Sequence, residues 1–151
     1  MVPLSFLAPI EQNEPYLSSA LGRIADLLAM LQKAKIPIDR TMLMGFSQGA
    51  CLALEFAARN ARRYGGIAGL SGGLIGPEGT PRDYGGSFDG TPVFLGCSEK
   101  DPHISASLII ETEDVFRRMA ANVTRRLYPK LGHAVNEDEL TEVQTMLSSM
   151  T

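Results

Sequence analysis

The run Gly45-Phe46-Ser47-Gln48-Gly49 has the spacing G-x-S-x-G and lies between an apolar run at 41–46 and a run of good helix formers at 48–60. A serine hydroxyl attacks a carbonyl only when a neighbouring base takes its proton. A sharp turn from strand to helix presents such a serine clear of the backbone. Glycines two residues to either side are needed there, because a side chain would strike the chain. Ser47, flanked by Gly45 and Gly49, therefore fits a nucleophile elbow. The chain carries its own control in Gly69-Leu70-Ser71-Gly72-Gly73, which has the same spacing. Gly76 and Pro77 soon follow Ser71, so no helix can start there to supply a positive N-terminus, and Ser71 is expected to be a tight turn at a strand end.

A serine nucleophile needs a histidine base, and the base needs a carboxylate to hold its tautomer. In the strand-and-helix folds that use an elbow, acid and then base follow the serine, each on a loop after a later strand. The strand-like run 92–97 leads into Ser98-Glu99-Lys100-Asp101-Pro102, and the run 123–128 leads into Pro129-Lys130-Leu131-Gly132-His133. Asp101 and His133 thus stand where acid and base are required. His103 is the alternative base, but it shares a loop with Asp101 and leaves the 129–133 loop without a role. Glu99 is the alternative acid, and otherwise a solvated loop charge.

These residues must be positioned by regular elements. Leu17, Leu21, Ile24, Leu28 and Leu31 recur at steps of four and three, the stripe of an amphipathic helix, with Pro15 suited to its first turn and Pro37 beyond its end. The pattern then predicts a strand at 41–46, a helix at 48–60, strands at 67–70 and 92–97 separated by a Gly/Pro/Asp-rich loop at 72–90, a helix at 107–121, a strand at 123–128 and a helix at 137–150. Strands separated by helices imply a mostly parallel sheet covered on both faces, with ligands bound at the carboxyl ends of the strands.

Length and composition bound the rest. With 151 residues, 44% of them hydrophobic and 21% charged, the chain is sized for one globular domain and is too apolar for a disordered one. Fourteen Lys and Arg against seventeen Asp and Glu give a net charge of -3, which argues against a nucleic-acid partner. The opening apolar stretch, 1–10, holds two prolines and no Lys or Arg, so it reads as neither signal peptide nor membrane span. Cys51 and Cys97 sit in apolar settings without ligand spacing, which reads as buried, reduced and cytoplasmic; with only two histidines, no metal site is expected.

Taken together, the helix from Pro15, the stretch Gly45 to Ala50, the run Leu70-Ser71-Gly72, the segment ending in Asp101-Pro102 and the pair Gly132-His133 resemble the phospholipase/carboxylesterase family of α/β-hydrolases, which includes acyl-protein thioesterases. The resemblance covers nearly all of the chain. It implies an α/β-hydrolase-type, mostly parallel sheet with helices on both faces. It also implies a triad of Ser47, Asp101 and His133, and an oxyanion donor in the Gln48 N–H. The expected activity is cleavage of small carboxylic esters through an acyl-enzyme, without a cofactor. Thioesters are the alternative substrate, and a non-catalytic binding module that keeps the triad is the alternative of another class. Phe6, Leu7, Leu74 and Ile75 are candidates to line the acyl pocket.

Members of that family have further strands and a His-Gly-x-Gly-type loop ahead of the region matched here. Only 46 residues precede Ser47 and neither histidine is among them, so the chain reads as the C-terminal two-thirds of such a hydrolase, with about four strands. Loss of the second oxyanion donor carried by that loop would cost about 2.7 to 4 kcal/mol of transition-state stabilisation. It would also leave Met42, Leu43 and Met44 on an open sheet edge, from which either a homodimer or poor solubility is expected.

Overall fold

The computed structural model describes residues 5–150, so the first four positions of the apolar opening stretch lie outside the described residues. Four helices and four strands follow one another as α1 (Tyr16–Lys33), β1 (Met42–Phe46), α2 (Gln48–Arg59), β2 (Gly66–Leu70), β3 (Pro92–Ser98), α3 (Ala106–Arg118), β4 (Asn122–Tyr128) and α4 (Glu137–Ser148). The strands form one sheet in the order β1-β2-β3-β4, and every neighbouring pair is parallel. Strand residues alternate between faces. Leu43, Ile67, Val93, Leu95 and Val123 join a core built with α1, α2 and α3, while Ala68, Leu70 and Phe94 pack on Val143 of α4.

The parallel sheet agrees with the sequence reading, and so does the one connection between strands that uses no helix. Between β2 and β3 the chain crosses in an irregular segment, residues 71–91, stitched down by side chains. Glu55 of α2, 1% exposed, accepts the Ile75 N–H at 3.0 Å and the Tyr84 hydroxyl at 3.0 and 3.1 Å, and pairs with Arg59 at 2.7 Å. Burying a carboxylate is costly unless its lone pairs are filled, and here they are filled by the segment it anchors. Leu74 and Ile75 are drawn inward with that segment and are fully buried in the core. The expectation that they line a pocket is therefore corrected: apolar residues in a glycine-rich loop gain more by joining the core than by facing solvent.

Register brings the strand ends level. Phe46 pairs with Leu70, Leu70 with Gly96, and Gly96 with Arg126. All four strands therefore discharge their following loops at one edge. At the side of the sheet, among the described residues, β1 has a neighbour only in β2. Met44 and Phe46, on the face where α4 covers the middle strands, are 55% and 41% exposed.

Candidate active site

Ser47 is the N-cap of α2 and has φ +53°, a left-handed backbone that costs a non-glycine residue on the order of 1–3 kcal/mol. Most serines at this position spend the side-chain oxygen on the first turn of the helix; that of Ser47 makes no cap hydrogen bond. Gly45 allows the turn: a Cβ there would overlap the carbonyl of Gly49 and the N–H of Ala50. Ser71 has the same handedness, φ +51°, but it is fully buried, lies against the Cys97 thiol and starts no helix. The two copies of the pentapeptide differ as the sequence reading expects.

The loops after β3 and β4 converge on Ser47. Its Oγ lies 2.8 Å from His133 Nε2, and His133 Nδ1 lies 2.8 Å from Asp101 Oδ2. The Asp101 side chain is fully buried. Burial alone would raise its pKa, but hydrogen bonds from His133 and from the N–H groups of His103 (2.8 Å) and Ile104 (3.0 Å) outweigh that, together with the attraction of the imidazole, and hold the carboxyl below its usual range. An ionised Asp101 only accepts, so Nδ1 carries the imidazole proton and Nε2 is left to accept the Ser47 hydroxyl.

The other candidates take supporting places. His103 is exposed, sits edge-on to the His133 ring at 4.7 Å, and does not bridge Ser47 and Asp101. Phe46 packs on the His133 ring at 4.9 Å, so two rings contact the imidazole. Glu99 is exposed, and its N–H bonds the Tyr128 carbonyl at 2.8 Å.

A cavity of about 180 Å³ opens on Ser47 and is lined by Phe6, Leu7, Gln48, Cys51, His103 and Ile104 among others. Phe6 and Leu7 thus share a cavity with the serine. Cys51 shares the cavity, but burial pushes its thiol up to about 11, so it is not an available nucleophile near neutral pH. Leu7 also borders a second, open cavity of about 510 Å³ that runs past Gly76, Ser105, Leu108 and Glu111. Among the described residues no group of three or more His, Cys, Asp or Glu could hold a metal ion, and no helix is long and apolar enough to cross a membrane.

Two buried carboxylates were not legible in the sequence as such. Glu55 lies on a helix whose periodicity would place a glutamate outside. Glu139 is fully buried at the start of α4: its side chain accepts the Asn136 N–H at 3.0 Å, and Asn136 caps the Glu139 N–H at 2.9 Å. Burial raises the Glu139 carboxyl above its ordinary value. The spacing Asn-x-x-Glu was the available signal. This capping box fixes the start of α4 four residues after His133, and so ties down the far end of the histidine loop.

The chain is similar to known proteins. The chain is 40% identical to a phospholipase/carboxylesterase from Dyadobacter fermentans, with a TM-score of 0.89 over 98% of this chain and 69% of that one. It is 30% identical over 141 residues to acyl-protein thioesterase 1 of Neurospora crassa, covering 91% of this chain and 57% of that protein. To the Candida albicans protein of the same name it is 31% identical over 122 residues, covering 78% and 52%. The chain spans about half the length of these thioesterases. Arabidopsis thaliana SOBER1 shares the fold at a TM-score of 0.76 and 17% identity, covering 89% of this chain and 64% of that one. The model of the phospholipase/carboxylesterase family matches residues 4–151, which takes in Ser47 and both loops that meet it, and the chain belongs to that family.

Proposed function

We propose that the protein is a serine hydrolase of carboxylic esters acting through an acyl-enzyme, within a single α/β-hydrolase domain. The observation that carries this reading is the unbroken series Ser47 Oγ, His133, Asp101, with 2.8 Å at each step. Ser47 attacks the ester carbonyl while His133 Nε2 takes its proton. The oxyanion develops beside the first turn of α2, where the Gln48 N–H and the positive helix end stabilise it. His133 then returns the proton to the leaving alcohol, water repeats the sequence on the acyl-enzyme, and Asp101 stabilises the imidazolium in both halves. No step calls for a metal or organic cofactor. The Phe6 and Leu7 side of the cavity suits the acyl group. Thioesters are a second reading, supported by the relatives named acyl-protein thioesterase 1. The two buried thiols, neither in a disulfide, support a cytoplasmic setting. An active-site-directed fluorophosphonate tests the proposal: stoichiometric covalent labelling together with turnover of p-nitrophenyl acetate or butyrate is expected, and a chain that binds these esters without labelling or turnover would instead be a non-catalytic module.

The edge at β1 supports a second property of the 151-residue chain, self-association. Residues 41–49 carry no charge and no proline to discourage pairing. The side-chain pattern also matches itself: an antiparallel two-fold pairing centred on Met44 sets Met42 opposite Phe46 of the second copy on one shared face. Sedimentation velocity at micromolar concentration should therefore find dimers, and Met44→Lys should return them to monomers. A wild-type chain that stays monomeric throughout removes this reading.

A further inference from the structure

Ser98 closes β3, is 1% exposed, and has no part in the proposed chemistry. Its hydroxyl nonetheless lies where the two loops that flank the imidazole leave the sheet. The β3–β4 ladder ends at the pair Ser98 and Tyr128. Beyond it, Ser98 Oγ accepts the Gly132 N–H at 3.2 Å and the Lys100 N–H at 3.4 Å, and donates to the Tyr128 carbonyl at 3.3 Å. Gly132 immediately precedes His133 and has φ +71°, a conformation in which the peptide plane set by its neighbours decides where the next Cα goes. Lys100 immediately precedes Asp101. One buried hydroxyl therefore grips the N–H of the residue before the base and the N–H of the residue before the acid, and extends the pairing of β3 and β4 by one step through a side chain.

We propose that Ser98 is a positioning residue that sets the spacing and angle of the His133 loop against the Asp101 loop, and through them the 2.8 Å contact with Ser47. This inference rests on the reading of Ser47, His133 and Asp101 given above. Misplacement of a reacting group by about 1 Å from a change outside the chemistry costs on the order of a hundredfold in rate, and a site is only as exact as the groups that hold its members. Ser98 touches no substrate, so its loss falls on kcat and leaves KM nearly alone.

The test compares Ser98→Ala and Ser98→Thr with the wild-type chain, using p-nitrophenyl butyrate turnover and fluorophosphonate labelling. For Ser98→Ala, kcat is expected to fall about ten- to a hundredfold, with KM within about threefold. Labelling should be slower by a similar factor but still reach one label per chain, because every molecule keeps its nucleophile. Ser98→Thr, which keeps the hydroxyl, should recover kcat to within a few-fold. If alanine leaves too little folded protein, Ser98→Cys replaces it, since the longer and weaker donor loosens the same three contacts. Wild-type kcat in the alanine or cysteine variant overturns the inference. So does a fall in labelling stoichiometry at an unchanged rate, which marks a structural role only. If Ser47→Ala itself stays active, the reading of the site has failed; if Ser47→Ala is inert and Ser98→Ala is fully active, only the role of Ser98 has.

Discussion

Ser47→Ala is expected to lower kcat/KM for p-nitrophenyl butyrate by about ten-thousandfold or more and to abolish fluorophosphonate labelling, while Ser71→Ala stays within a few-fold of the parent. The contrast is sharp because both serines occupy the same pentapeptide spacing and both have positive φ. Only Ser47 has a hydroxyl 2.8 Å from an imidazole and a helix beginning at the next residue. Ser71 is fully buried, and its hydroxyl has no route to a substrate. Steady-state assays of the two purified variants decide the matter; equal losses in both would mean that the elbow has been assigned to the wrong strand.

Asp101→Asn should lower kcat by roughly ten-thousandfold with little change in fold. An asparagine amide placed against Nδ1 favours the tautomer whose proton sits on Nε2, and that nitrogen can no longer accept from Ser47. The same variant reports on acid stability. The folded-state pKa of Asp101 is depressed by its hydrogen bonds, so the unfolded chain binds more protons in the acid range. The carboxylate contributes stability in full above its unfolded value near 3.9, and that contribution is lost as pH falls through the lower folded value. Thermal unfolding followed from pH 6 downward, in steps to about pH 2, should show the wild-type losing stability more steeply than Asp101→Asn at the acid end. Parallel curves would place the depressed titration elsewhere.

The elements that carry chemistry were legible because each is punctuated. Gly45 and Gly49 bracket a serine between an apolar run and a helix, and Asp101 and His133 stand just beyond two further apolar runs. Fold class followed from the alternation of patterns. The irregular β2-to-β3 crossover was legible as a Gly/Pro/Asp-rich loop, but its anchors, Glu55 and Tyr84, were not, because they are polar residues whose burial depends on one another rather than on local periodicity. The same dependence misled the reading of Leu74 and Ile75, which the anchored segment carries into the core. Ser98 was invisible for another reason: a serine at the end of a strand is commonplace, and its three partners are set by a register that the sequence does not state.

The exposed ring of Phe46 has a consequence for how this protein is assayed. It lies at the β1 side of the face that α4 covers only over the middle strands, and packs on His133 with its centroid 4.9 Å away. Any molecule that binds along β1 therefore also rests on a group that steadies the imidazole. Catalytic competence and occupancy of that edge are then linked by mass action. For the dimer proposed above, specific activity would then be a function of concentration, with dilution shifting the population toward the form in which the ring faces water.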